Sequence, residues 1–264
     1  RDQYFRDHEE QVLFWVFLQQ EFYEERMKLK SYANEQGIKV IGDIPLYVSY
    51  DSVEVWKDPH LFVLDENLTP ISVAGYPPDA FSELGQLWGN PLYDWNKHRE
   101  THYSWWQMRL LHQQKLYDFI RLDHFIGFCN YWAIPYGDTD AIGGRWEEGP
   151  GEHFFQVINM NCPELQLIAE DLGNVTKEVT ALRIFAGLPS MRVLQFGFDP
   201  NGDSDALPHH YDLEIIAYTG THDNETIMGW WNNRNEEEQA FARHYMDMTT
   251  ESIVEAMIKT LWRS

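Results

Sequence analysis

Four short apolar runs in this chain each stop abruptly at charged residues, and that recurrence limits the fold more than any other feature. Residues 37–45 deliver Asp43, residues 117–125 deliver Arg121, Asp123 and His124, residues 165–173 deliver Glu170 and Asp171, and residues 215–224 deliver His222 and Asp223. A buried strand has no internal reason to finish in charge. Strand ends that converge on one face of an α/β fold do, because the chemistry is carried there. Helical patterns separate the runs. Residues 3–34, free of Gly and Pro, predict one long amphipathic helix with Val12, Leu13, Val16 and Phe17 at roughly helical spacing, closed by Gly37. Residues 101–117 predict a second helix with Trp105, Met108, Leu111 and Leu116 on its inner face, and further helices are expected over 152–159, 175–185 and 235–262, the last as one helix or two. Strands are expected at 38–44, up to Asp123, at 166–169, 191–198 and 215–219. Strand and helix alternate about five times, and right-handed crossovers then give a parallel sheet, either doubly wound or closed into a barrel.

With 264 residues the chain has the usual size of one α/β barrel domain. Residues 45–100 break the pattern. Six prolines (45, 59, 70, 77, 78 and 91) and three glycines (75, 85 and 89) predict a loop-rich insertion without long regular elements. It carries Trp56, Tyr76, Phe81, Trp88, Asn90 and Tyr93, flat rings and amides that suit a sugar and equally suit a loop that packs its own aromatics. No internal repeat or low-complexity segment points to a solenoid.

Charge excludes some partners. The formal net charge is −22, with 42 acidic residues against 20 basic ones, which disfavours nucleic acid and anionic membranes and fits a neutral substrate. Cys129 and Cys162 are the only cysteines, with no CxxC or Cys/His spacing typical of zinc sites, so the sequence carries neither a disulfide framework nor a cysteine-based structural metal signature; this suits a reducing compartment. No apolar run approaches the length of a membrane span.

Asp123, Glu170 and Asp223 each lie just beyond a strand, and in a barrel such positions gather at one mouth. Any one of them alone reads as a cap or an ion-pair partner. Together they supply the two carboxyls of opposite protonation state that glycosidic cleavage needs. Arg121 lies two residues before Asp123, on the same strand face, and so favours an ionised Asp123, as a nucleophile requires. Glu170 follows Leu167, Ile168 and Ala169; partial burial near like charges would raise its pKa and suit it to general acid/base work.

The segments Gly42-Asp-Ile-Pro-Leu-Tyr-Val48, Arg121-Leu-Asp-His-Phe125, Ile168-Ala-Glu-Asp-Leu-Gly173 and Thr219-Gly-Thr-His-Asp-Asn224 resemble the ordered signature of the amylomaltase family, the 4-α-glucanotransferases of glycoside hydrolase family 77. The loop Ala74-Gly-Tyr-Pro-Pro-Asp-Ala-Phe-Ser82 with Gly85-Gln-Leu-Trp-Gly-Asn-Pro-Leu-Tyr93 adds to the resemblance, which covers essentially the whole chain. It implies a (β/α)8 TIM barrel, with 1–264 as a partial catalytic barrel and 45–100 as an aromatic-rich insertion at the active-site face. Family members are about twice this long, so about five of the eight strands are expected here. The resemblance makes Asp123 the nucleophile, Glu170 the acid/base and Asp223 the transition-state stabiliser of a retaining double displacement. Arg121, His222 and Asp43 would bind the glucose whose bond is cut, and Asp79, Phe81, Trp88 and Asn90 would add substrate contacts. Implied partners are α-1,4-glucans and maltooligosaccharides, with no metal or organic cofactor and a cytoplasmic location, or a plastid one for a plant source. An α-glucan hydrolase and an inactive glucan-binding fragment are the alternatives. Three positions depart from the family pattern: Ala80 where an aromatic residue is usual, Ile126 for an Arg, and Ser190 for a Gly.

Overall fold

The computed structural model describes residues 2–79 and 82–264. In chain order the elements are α1 (Asp2–Asp7), α2 (Glu9–Glu35), β1 (Ile41–Ile44), α3 (Val53–Lys57), β2 (Ser72–Tyr76), β3 (Gln86–Pro91), α4 (Trp95–Glu100), α5 (Ser104–Leu116), β4 (Phe119–Leu122), β5 (Asn130–Pro135), β6 (Arg145–Glu148), α6 (Gly151–Asn161), β7 (Leu167–Ala169), α7 (Lys177–Ala186), β8 (Ser190–Val193), β9 (Ile215–Tyr218), α8 (Ile227–Asn232), α9 (Glu236–Tyr245) and α10 (Ile253–Trp262). They form two compact units. The first comprises Arg1–Asp123, Trp132–Trp146 and His153–Leu167; the second comprises His124–Tyr131, Glu147–Glu152 and Ile168–Ser264.

In the first unit β1 and β4 pair in parallel, with Gly42 opposite Ile120 and Asp43 opposite Arg121. Gly42 is obligatory at this spot, because a Cβ there would lie 2.2 Å from the ring of Tyr117. That ring also lies under the guanidinium of Arg26 from α2, 4.7 Å away. The core is unusually aromatic. Tyr93 sits at its centre, 1% exposed, with its hydroxyl donating to the Leu46 carbonyl at 2.8 Å. Trp95, His98, Trp105 and Trp106 all approach its ring within 5.7 Å, mostly tilted or edge-on as ring quadrupoles prefer. Segment 45–100 carries only short elements. Its β2 pairs antiparallel with β3 and also with β5, Val73 opposite Ile134, so the segment is tied into a sheet.

In the second unit β8 and β9 pair in parallel, Ser190 opposite Ile215. A separate core gathers Leu194, Phe198, Trp230, Trp231, Met246 and Met257. Two helices close it, each started by a capping box: Asn235 with Glu238 on α9, and Ser252 with Glu255 on α10.

The structure corrects several sequence expectations. The helix expected over 3–34 breaks at His8 into α1 and α2, and Leu13, Val16 and Phe17, part of its expected amphipathic pattern, are exposed. The cause is visible in the run from Val12 to Leu18: seven consecutive apolar residues wrap the helix, so periodicity cannot select a face. On α5 the buried residues are Trp105, Trp106, Leu110 and Leu116, whereas Met108 and Leu111 face outward. The strand expected over 191–198 turns into a 3-10 helix at Leu194–Phe196, and no α-helix connects β8 to β9. β5 and α8 lie where no element was expected, and 235–262 resolves into two helices. Among the described residues no helix is long and apolar enough to cross a membrane.

Candidate active site

Strand pairing assembles the first group. Because β1 and β4 run parallel with Asp43 facing Arg121, the Arg121 guanidinium meets Asp43 across the ladder, Nη1 donating to Oδ1 at 2.8 Å and to Oδ2 at 2.9 Å. Residues two apart share a strand face, so the same Nη1 also donates to Asp123 Oδ1 at 2.9 Å. The cation is buried at 7% exposure, while both carboxylates are about two-fifths open to solvent. Buried charge is tolerated when paired and hydrogen-bonded, and one guanidinium here serves two anions with charge-assisted bonds. Asp123 is also fixed through its backbone, its N–H donating to the Ile44 carbonyl at 3.0 Å. The outcome is a rigid pair of carboxylates at adjacent strand ends, with the positive charge beneath them.

The loop residues of the same unit divide. Asn90 Nδ2 donates to the Val48 carbonyl at 3.0 Å, which anchors β3 to the segment after β1. Trp88 is partly exposed, its ring 6.2 Å from that of Tyr47 and its Nε1 donating to Gln86 Oε1. Asp79 Oδ1 accepts the Ser82 N–H at 2.8 Å. Phe81 and the substituted position Ala80 lie outside the described residues.

In the second unit the Glu170 carboxylate Oε2 accepts the backbone N–H of His124 at 2.8 Å. His124 takes a left-handed conformation, φ 55°, which is costly for a residue with a Cβ and recurs at functional positions. Desolvation pushes its imidazole down to about 4, so the ring is neutral at pH 7. Asp171, the next residue after Glu170, serves a different purpose. It is 3% exposed, accepts from Ser190 Oγ at 2.6 Å and from the Met191 N–H at 2.9 Å, and has Arg183 Nε 3.4 Å away. It ties the end of β7 to β8 and thereby fixes the backbone that carries Glu170. The sequence shows the carboxylate but not this role; the signal for it is that consecutive residues in extended backbone point to opposite sides. His222 and Asp223 occupy an exposed turn after β9, with His222 Nε2 3.4 Å from Asp223 Oδ1. The turn is set by Asn224, whose Oδ1 accepts both the N–H and the hydroxyl of Thr221.

Thus Asp43, Arg121 and Asp123 form one ion-paired group, while Glu170, His222 and Asp223 belong to the other unit. The pattern of the whole chain matches one family model, described as 4-alpha-glucanotransferase, over residues 1–264. The chain belongs to this 4-alpha-glucanotransferase family. Among relatives, it is 44% identical to the 4-alpha-glucanotransferase of Clostridium butyricum, covering 97% of this chain and 53% of that protein. The chloroplastic/amyloplastic 4-alpha-glucanotransferase of Arabidopsis thaliana is likewise 44% identical, over 89% of this chain and 41% of its own length. An amylomaltase from Streptococcus agalactiae, solved with acarbose, superposes with a TM-score of 0.88 at 45% identity, over 91% of this chain and 49% of that one. The amylomaltase of Corynebacterium glutamicum, 19% identical with a TM-score of 0.72, shares the fold. The chain spans about half the length of the curated family members it matches.

One departure from the family pattern has a structural account. At Ser190, where the family resemblance leads one to expect a glycine, the hydroxyl donates to Asp171 and accepts from Arg192 Nη1 at 2.6 Å, so the side chain is absorbed into a buried polar network. Ile126 is buried at 3% within the 3-10 helix Phe125–Phe128, an apolar position in this chain.

Proposed function

We propose that this chain supplies the catalytic carboxylates of a retaining 4-α-glucanotransferase, and that its strands are part of a (β/α)8 barrel whose mouth holds an α-1,4-glucan. The observation that carries the reading is the Arg121 guanidinium shared by Asp43 and Asp123 at neighbouring strand ends, in a chain of this family. Asp123, ionised beside the buried cation, attacks the anomeric carbon as the bond to the leaving O4 breaks. Glu170 gives its proton to that oxygen, and a glycosyl-ester on Asp123 results. An incoming sugar then yields its 4-hydroxyl proton to Glu170 and attacks the same carbon, releasing Asp123 and restoring the α-configuration. Asp223 stabilises the oxocarbenium-like charge. Asp43, Arg121 and His222 hold the hydroxyls of the glucose being transferred, and Asp79, Phe81, Trp88 and Asn90 receive neighbouring sugars. Transfer dominates over hydrolysis if the loop of residues 74–93 excludes water from the intermediate.

Incubation with maltotriose tests this. Release of glucose together with longer maltodextrins is expected. Asp123→Asn should abolish both products, and Glu170→Gln should slow turnover roughly 10²- to 10⁴-fold. A net gain of reducing ends without longer glucans would instead identify a hydrolase, and glucan binding with no turnover by the wild-type chain would overturn the enzymatic reading.

A further inference from the structure

The connection from β8 to β9 brings together three ligand-type side chains that the proposed reaction does not use. Asp203 Oδ1 lies 2.7 Å from His210 Nε2 and 3.0 Å from His209 Nε2. One ligand atom from each of the three falls within 4.8 Å of the others, the only such cluster of His, Cys, Asp and Glu among the described residues. We propose that Asp203, His209 and His210 form a surface site for a divalent transition ion of the zinc type.

Three features support the assignment. First, the loop is built rather than loose. The Leu207 N–H donates to the Ser204 carbonyl at 2.9 Å, the Tyr211 hydroxyl to the Ala206 carbonyl at 2.7 Å, and Pro208–His210 is a 3-10 turn that presents both imidazoles side by side, ring centroids 4.0 Å apart. Second, the far nitrogen of one ligand is held. His209 Nδ1 is 2.8 Å from the hydroxyl of Tyr245, whose ring packs edge-on against Phe198 of the unit's core. With the proton on Nδ1 donated to that oxygen, Nε2 keeps its lone pair for a metal, which is the usual outer contact of a ligating histidine. Third, the donor set selects the ion. Two imidazoles and one carboxylate suit Zn²⁺, Co²⁺ or Ni²⁺, whereas Mg²⁺ and Ca²⁺ take oxygen ligands.

A tetrahedral zinc ion with bonds near 2.0–2.1 Å separates its ligand atoms by about 3.3 Å. Asp203 Oδ1, 2.7 and 3.0 Å from the two nitrogens, therefore needs to part from each by roughly 0.3–0.6 Å, and the exposed side chains leave the imidazoles room to turn toward the ion. Three protein ligands leave the fourth position to water. Occupancy would staple the β8–β9 connection, and β9 runs on into the turn bearing His222 and Asp223.

Zn²⁺ titrated calorimetrically into chelator-treated protein tests the site. One ion per chain is expected, with an upward shift of the thermal midpoint as the ion saturates. His210→Ala and Asp203→Ala should each weaken binding at least tenfold and remove the Zn²⁺-dependent shift, while Tyr245→Phe should weaken it roughly tenfold. Replacement of the exposed His244 should change nothing. Because the shift on adding Zn²⁺ is read, and not the metal-free midpoint, any intrinsic effect of a substitution cancels. Absence of stoichiometric binding by the wild type, or retention of wild-type affinity by both ligand variants, overturns the assignment.

Discussion

Arg121 is the residue on which the candidate site turns. Its burial beneath Asp43 and Asp123 means that truncation leaves two carboxylates facing one another without their cation; because both are about two-fifths exposed, the loss is about 1–3 kcal/mol, short of that for a fully buried pair. Arg121→Ala is expected to lower the urea midpoint by a corresponding amount and to abolish transfer; Arg121→Lys should regain stability but little activity, since an ammonium lacks the planar fork. Activity restored to wild-type level by Lys would show that charge alone suffices. Gly42, one residue before Asp43, is constrained by the ring of Tyr117. Gly42→Ala should cost about 1–3 kcal/mol by overpacking, measurable by urea unfolding. These residues were legible in the sequence because charge at the end of an apolar strand is conspicuous. Asp171 was legible only as a second carboxylate, since its bonds to Ser190 and Met191 come from a strand nineteen and twenty positions along the chain.

At the scale of elements, the clear cases are those whose local chemistry agrees with their surroundings. α9 begins where Asn235 Oδ1 accepts the Glu238 N–H at 2.9 Å and Glu238 Oε2 returns the contact to the Asn235 N–H at 2.9 Å. Asn235→Ala should therefore destabilise the second unit by about 0.5–2 kcal/mol, read as a lowered denaturation midpoint. Elsewhere pattern misled. Helical spacing on α5 allowed either Met108 and Leu111 or Trp106 and Leu110 to face inward, and the pull of the Tyr93 ring cluster chose the latter. β5 is not legible from the sequence because its partner, β2, sits inside the proline-rich segment whose composition predicts a loop.

For the molecule as a whole, the buried histidines make stability depend on pH. Burial pushes His98 down to about 4 from an ordinary value of 6.5, and His124 likewise. The unfolded chain then binds more protons than the folded one between those values, so stability declines as pH falls from about 6.5 to about 4. His98 alone accounts for ~3 kcal/mol of that loss. His98→Phe, which keeps a ring among Tyr93, Trp95 and Trp105, should flatten the profile by that amount when urea midpoints at pH 7.5 and 4.5 are compared with the wild type. An unchanged slope would show that His98 is not the group titrating. The large acidic excess acts on both proteins equally and leaves the difference intact. By itself the sequence determined the alternation of strand and helix, the charged strand ends, and the aromatic content from which a core could be made, because those follow from local periodicity and composition. Only the tertiary structure decided that Asp43 stands opposite Arg121, that Tyr93 gathers the tryptophans, and that Asp203 meets two histidines. The first two depend on strand register and on packing between residues far apart in the chain, and the third on the 3-10 turn Pro208–His210, which folds residues six and seven positions apart onto one another.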